Sequence, residues 1–168
     1  MIMKRIKVGV IGSGGIFRGA HLPAYPDINE AQLTCLCDVS EEILKVSERR
    51  TREVYLDKAK KAEEKGDIDL ASRLREDVEG LKTYQSITQM LSKGELDLVD
   101  VCTPTKYHTP AALEALSCGV NVMCEKPMAR TYLECLDVVD AVKDSGKLYQ
   151  HNENWLYDPL WYNARKLI

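Results

Sequence analysis

Apolar residues fall in this chain in two ways: short runs rich in β-branched side chains, and longer stretches where they return every three or four positions. The first run, Ile6, Val8, Val10 and Ile11, reads as a buried parallel strand. It breaks into Gly12, Gly14 and Gly15 before a helical pattern over 16–25. A second apolar run at 33–37 predicts the next strand. Over 41–80 the spacing is helical and the composition strongly charged. Ile43, Val46, Val54, Ala59 and Ala62 make an irregular stripe, Gly66 and Asp67 interrupt it, and Ile68, Ala71, Leu74 and Val78 resume it. That pattern predicts a helical hairpin turning at Gly66. There follow a short strand at 81–84, a helix capped by Ser86 and ended near Gly94, a strand at 96–102, a helix over 111–117 stopped by Gly119, and a strand at 121–124. Leu133, Leu136, Val139 and Val142 predict the inward face of a helix over 132–144, ended by Gly146. A strand at 148–152 and a final helix complete an α/β pattern.

Composition narrows the class. A chain of 168 residues can bury one sizeable core, and one domain is the default. With 45% apolar and 29% charged residues it reads as a soluble globular protein. A net charge of -3 gives no electrostatic footprint for nucleic acid or an anionic membrane. No apolar run approaches the roughly 18 residues of a membrane span, and no charged-then-apolar leader precedes the first strand, so a cytoplasmic location is expected. The cysteines are Cys35, Cys37, Cys102, Cys118, Cys124 and Cys135. No pair has Cys-x-x-Cys spacing, and most sit in apolar patterns. They read as small hydrophobes in a reducing compartment, with no metal site expected.

Three stretches carry candidate chemistry. At 12–16 glycine permits a sharp strand-to-helix turn and a close approach of a pyrophosphate to the main chain, while the N–H groups and dipole of the helix start face an anion. Asp38, about 20 residues further on, stands where an acid would accept hydrogen bonds from an adenosine ribose. The alternative is a solvated helix start, which Ser40 and Glu41 also suit. Phe17 occupies a position where a small residue usually lets helix and strand pack closely, so the helix must be pushed outward or the bulk absorbed locally. His21 reads as a helix-end or loop contact before it reads as a base. The cluster Arg49, Arg50 and Arg52 is far from Asp38 and reads as surface. At 103–108 a strand's carboxyl end runs into Thr103-Pro104-Thr105 and His108, where open α/β sheets bind ligands. Pro104 stiffens that loop, so its backbone groups and Thr105 can line a nicotinamide, and His108 is either near the active site or simply a helix-start residue. Finally, Glu125-Lys126-Pro127 directly follows an apolar strand. Charges there need partners or a task. Lys126 beside a glutamate can donate to a substrate hydroxyl and take part in proton transfer, or it can form a surface salt bridge.

Gly12-Ser-Gly-Gly-Ile, His21-Leu-Pro-Ala, Asp38, Asp100-Val-Cys-Thr-Pro with His108, Cys124-Glu-Lys-Pro-Met-Ala, and Asn154 with Asp158-Pro159 together resemble the glucose-fructose oxidoreductase, inositol dehydrogenase and rhizopine-catabolism (Gfo/Idh/MocA) family. The resemblance implies a Rossmann doubly wound parallel sheet of order 3-2-1-4-5-6 over 1–152, with the 41–80 hairpin inserted and 153–168 starting a crossover. It implies hydride transfer between a hydroxyl of a sugar, cyclitol or related polyol and a nicotinamide cofactor. In the family the lysine matching Lys126 is at the active site and the glutamate matching Glu125 approaches the nicotinamide ribose. The glycines matching Gly12 and Gly14, with Gly15 and Ile16 beside them, hold the pyrophosphate. Asp38 favours NAD over NADP, because a carboxylate pairs with a free 2′-hydroxyl and repels a 2′-phosphate.

Some positions depart from the family pattern. Phe17 is one, the hairpin is longer by about 20 residues, most cheaply placed on the surface, and Trp155 and Leu156 stand where many relatives carry arginines. Relatives continue into a second α/β domain that covers the active site and mediates oligomerisation. Without it the chain is expected to bind NAD and not turn over, and homo-oligomers are expected only with that domain. The alternatives are a non-catalytic nucleotide-binding or sensing module, and an NAD-dependent glycosidase or epimerase of the same family.

Overall fold

The computed structural model describes residues 4–167. The outermost residues of the expected 1–152 and 153–168 segments, 1–3 and 168, lie outside that range. A six-stranded sheet runs β3-β2-β1-β4-β5-β6, with β1 (Ile6–Ile11), β2 (Ala31–Cys37), β3 (Lys82–Tyr84), β4 (Leu98–Val101), β5 (Asn121–Glu125) and β6 (Tyr149–Asn152). Every neighbouring pair is parallel. The chain therefore works outward from β1 to β3 and then crosses back to β4, and the strand order reverses between β1 and β4. At such a reversal the loops leaving adjacent strands diverge and open a crevice at the carboxyl ends.

Strand periodicity divides the core between the two faces. Val8, Val10, Leu33 and Leu36 pack with α1 (Glu41–Glu64) and α2 (Ile68–Glu79). Ile11, Val99, Val101, Val122 and Cys124 pack with α3 (Ile87–Lys93), α4 (His108–Ser117) and α5 (Tyr132–Ser145). Leu33 and Leu36 are three apart yet share a face because pairing jumps from Val8 with Leu33 to Gly9 with Cys35. The extra residue, Thr34, turns its hydroxyl onto the Val8 carbonyl at 3.1 Å.

The expected hairpin forms, but α1 is rotated from the predicted stripe. Its buried residues are Leu44, Ser47, Thr51, Tyr55, Ala59 and Ala62, while Val46 is exposed. Ser47 and Thr51 can face inward because each hydroxyl has a partner: Ser47 donates to the Ser13 carbonyl and Thr51 to the Ser47 carbonyl. Arg5 fastens the hairpin to the sheet, donating from both terminal nitrogens to the Asp77 carboxylate at 2.7 Å and also to the Ala31 carbonyl. Arg49, Arg50 and Arg52 pair with Glu53 and Glu48 on the helix surface.

Three other expectations change. The helix over 16–25 is replaced by a wide π-helical turn, Phe17–His21, and a 3-10 turn, Tyr25–Asp27. Phe17 is fully buried, and the Leu22 N–H closes onto the Phe17 carbonyl at 2.8 Å, one residue beyond α-helical reach. The local widening absorbs the aromatic bulk, and Pro23 and Pro26 supply no N–H to continue the helix. In α5 the buried face is Val138, flanked by Ala141 and Val142, whereas Leu133 is 69% exposed and Leu136 and Val139 also face outward. Two apolar stripes at helical spacing share this helix and meet at Val142, which packs inward as expected, and the sheet takes the one that runs through Val138. The final helix is split into a 3-10 turn, Asn154–Leu156, and α6 (Pro159–Ala164), where Asp158 caps the Leu160 N–H at 2.7 Å and Pro159 starts the new turn.

Candidate functional site

Gly12 ends β1 with φ +86°, and a Cβ there would stand 2.8 Å from the Thr103 nitrogen and 2.9 Å from the Cys102 carbonyl carbon. Only glycine brings the exits of β1 and β4 this close. Gly14 and Gly15 differ, since a Cβ on either would meet no atom within 4 Å. The protein's own packing does not demand glycine there, and the bare backbone of Gly14 and Gly15 faces open space. Asp38, at the exit of β2, spans this turn and the start of α1: Oδ2 accepts from the Ser13 N–H and Oδ1 from the Ser40 N–H, both at 3.1 Å. Asp38 is thus tied both to the glycine turn and to Ser40, the residue that caps α1. Among the described residues the buried hydroxyls of Ser13 and Thr103, on either side of Gly12, have no hydrogen-bond partner. Such a cradle, with bare backbone, two unpaired hydroxyls and a fixed carboxylate, fits the phosphates and ribose of a dinucleotide.

The loop after β4 turns through Pro104 into a 3-10 turn, Thr105–Tyr107, and then α4. His108 is buried beneath it, with Nδ1 2.8 Å from the Pro127 carbonyl and Nε2 2.8 Å from the Thr103 carbonyl. It therefore ties the exit of β4 to the exit of β5. Glu125 is the last residue of β5, and Lys126 is exposed just beyond it, its N–H donating to Glu125 Oε2 at 3.3 Å.

The most developed chemistry surrounds His21, which the sequence placed only at a helix end. Asp100 and Glu125 project from β4 and β5 onto one face, since Asp100 pairs with Met123, two positions before Glu125. The wide turn delivers His21 between them: Nδ1 is 2.8 Å from Asp100 Oδ2 and Nε2 is 3.0 Å from Glu125 Oε1. Both ring nitrogens face carboxylates, so both donate in the imidazolium form. The hydrogen bond to Asp100, followed by its charge and by Glu125, outweighs burial and raises the His21 pKa to about 9. Asp100 has no exposed surface, and its carboxylate also accepts from the Tyr25 hydroxyl at 2.8 Å and the Cys102 thiol at 3.4 Å. Burial, then the Asp100 charge, pushes the Tyr25 phenol and the Cys102 thiol well up. His21, Asp100 and Cys102 are metal-ligating types whose donor atoms lie within 4.8 Å of one another. Each is already paired inside the cluster, which makes it a closed hydrogen-bond network. Burial also raises the thiols of Cys35 to about 11 and of Cys37 and Cys124 to about 12, consistent with small hydrophobes.

The predicted stretches therefore share one rim. Ser13 links Gly12 to Asp38, Thr103 packs on Gly12, His108 joins Thr103 to Pro127, and Glu125 meets His21. Sequence reasoning assigns no role to Tyr25, Asp100 or Cys102; Asp100, a charge between the apolar Val99 and Val101, was the available signal. Residues 6–153 match the family model described as an oxidoreductase family with an NAD-binding Rossmann fold. The chain belongs to the Gfo/Idh/MocA family. It is similar to a glycosyl hydrolase family 109 protein of Solibacter usitatus, 31% identical over 90% of this chain and 31% of that protein. It is similar also to the D-apiose dehydrogenase of Paraburkholderia graminis, 29% identical over 94% of this chain and 34% of that protein. Among solved structures, the WlbA dehydrogenase of Chromobacterium violaceum in complex with NADH and UDP-GlcNAcA shares the fold with a TM-score of 0.68 at 23% identity, covering 90% of this chain and 36% of that one. The Gfo/Idh/MocA domain here thus spans about a third of the length of these relatives. No helix among the described residues is long and apolar enough to cross a membrane.

Proposed function

We propose that this chain is the NAD-binding domain of an oxidoreductase acting on a sugar, cyclitol or related polyol hydroxyl. The observation that carries the proposal is the shared rim: the glycine turn, Asp38, the Thr103 loop and the Glu125-Lys126 tip all stand at the carboxyl ends of β2, β1, β4 and β5. Gly14, Gly15 and Ile16 receive the pyrophosphate on backbone N–H groups, and Gly12, whose own N–H is spent on the Cys37 carbonyl, makes the turn that presents them to it. Asp38, already fixed by two N–H donors, accepts from the adenosine ribose and disfavours a 2′-phosphate. Thr103, Pro104 and Thr105 line the nicotinamide side, and His108 sets the height of that loop. Glu125 meets the nicotinamide ribose. The bound dinucleotide supplies the hydride acceptor. Lys126 hydrogen-bonds the reacting hydroxyl, takes part in its deprotonation and orients its carbon toward the ring.

Titration calorimetry of this chain with NAD+ and NADP+ tests the reading. Saturable NAD+ binding at least about tenfold tighter than NADP+ is expected, and heat from neither overturns it. The isolated chain is expected to bind without turnover, so NADH accumulation with any polyol would contradict that part. With the second domain of its relatives in place, Lys126→Ala is expected to lower turnover by about 10²–10⁴-fold; unchanged turnover would remove Lys126 from the chemistry. The similarity to a glycosyl hydrolase family 109 protein favours a second reading, in which oxidation is transient. Net NADH production separates the two.

A further inference from the structure

We propose that His21 is a positioning residue of the cofactor pocket: held by Asp100 on β4, it fixes the Glu125 carboxylate at the tip of β5 in the orientation that receives the nicotinamide ribose, an inference that rests on the dinucleotide reading above. Glu125 ends a strand, and its side chain has three rotatable bonds to order before it can accept from a ligand. Oε1 is committed to His21 at 3.0 Å, while among the described residues Oε2 has only the long 3.3 Å contact from the Lys126 N–H. One oxygen is anchored and the other is left for the crevice. The anchor is itself immobile, because Asp100 is inaccessible and takes further bonds from Tyr25 and Cys102. His21 and Glu125 keep 14% and 12% of their side-chain surface, so the pair is nearly enclosed and still reachable by a ligand. The wide turn at Phe17–His21 matters here because it brings the imidazole of a phosphate-binding segment across β4 to β5.

The titratable groups facing His21 are Asp100 and Cys102 from β4, Glu125 from β5 and, across the Asp100 carboxylate, Tyr25 from the turn before β2. Tyr25 and Cys102 are pushed well up, which leaves His21 as the member of the cluster that loses its charge as pH rises through about 9. A neutral imidazole has one donor for two carboxylates, and Glu125 is then released. Prepaid ordering of Glu125 is expected to be worth about fivefold to tenfold in NADH affinity.

The test is NADH affinity, read by nucleotide fluorescence on this chain as wild type, His21→Gln, Glu125→Gln and the double variant. Each single substitution is expected to weaken NADH about fivefold to tenfold, and the double variant to bind no worse than Glu125→Gln, because His21 acts only through that carboxylate. Wild-type affinity is expected to fall as pH passes about 9, and that of Glu125→Gln to stay flat, since no carboxylate remains for the charge of the ring to hold. Multiplying effects, or wild-type affinity in His21→Gln, would overturn the proposal. Should His21→Gln not fold, the wild-type pH titration decides alone, and a flat profile overturns it. Absence of NADH binding by the wild type would remove the dinucleotide reading along with this one, whereas binding with independent substitutions removes only the role of His21.

Discussion

At Gly12 the left-handed backbone and the 2.8 Å approach to the Thr103 nitrogen act together, so Gly12→Ala carries both conformational strain and a clash with main-chain atoms that have no flexible end to yield. Chemical denaturation is expected to show a loss of about 2–4 kcal/mol; Gly14→Ala, with open space at its Cβ, should cost less than about 1 kcal/mol. His21 makes stability pH-dependent in a defined direction. Its folded pKa is raised to about 9, chiefly by the bond to Asp100, so the imidazolium favours the native state. That contribution is complete below the unfolded value of about 6.5 and is lost as pH rises through the folded one. The melting temperature should therefore decline across that interval in the wild type and decline less in His21→Gln. The placement of Gly12, Asp38 and Lys126 at strand exits could be read from sequence, because an apolar run ends just before each. That of His21 could not, since its partners lie 79 and 104 residues away and only the fold brings three strand exits together.

Between elements, the Arg5 and Asp77 pair joins the residue just before the first strand to α2. Asp77 is 2% exposed, so Asp77→Ala leaves the Arg5 guanidinium facing an apolar site without its counter-charge. Urea denaturation is expected to show a loss of about 2–3 kcal/mol; an effect under about 0.5 kcal/mol would mean the hairpin is held by its apolar face alone. Element types followed from periodicity nearly throughout, and helix faces did not. In α1 the inner stripe contains Ser47 and Thr51, which a hydrophobic count places outside; in α5 two stripes compete, and only the sheet decides between Leu133 and Val138. The turn after Gly15 departs from the helix that periodicity predicts for a related reason, although the bulk of Phe17 already points to a local adjustment. A buried Phe17 forces a wider ring than α-helical spacing allows, and no periodic pattern announces that.

At the scale of the molecule, strand order places the exits of β1, β2, β4 and β5 along one edge of the sheet, and the account depends on a single nucleotide lying across all of them. The order was legible only through the family resemblance, because alternation of strands and helices implies a parallel sheet without saying where the chain reverses. The most direct measurement is a backbone amide NMR titration of this chain with NADH. Saturation along one binding curve is predicted at 12–16, Asp38, Thr103, Thr105 and 125–126. Shifts confined to the glycine turn and Asp38, with 125–126 unmoved at saturation, would mean that no cofactor lies between the phosphate cradle and Lys126.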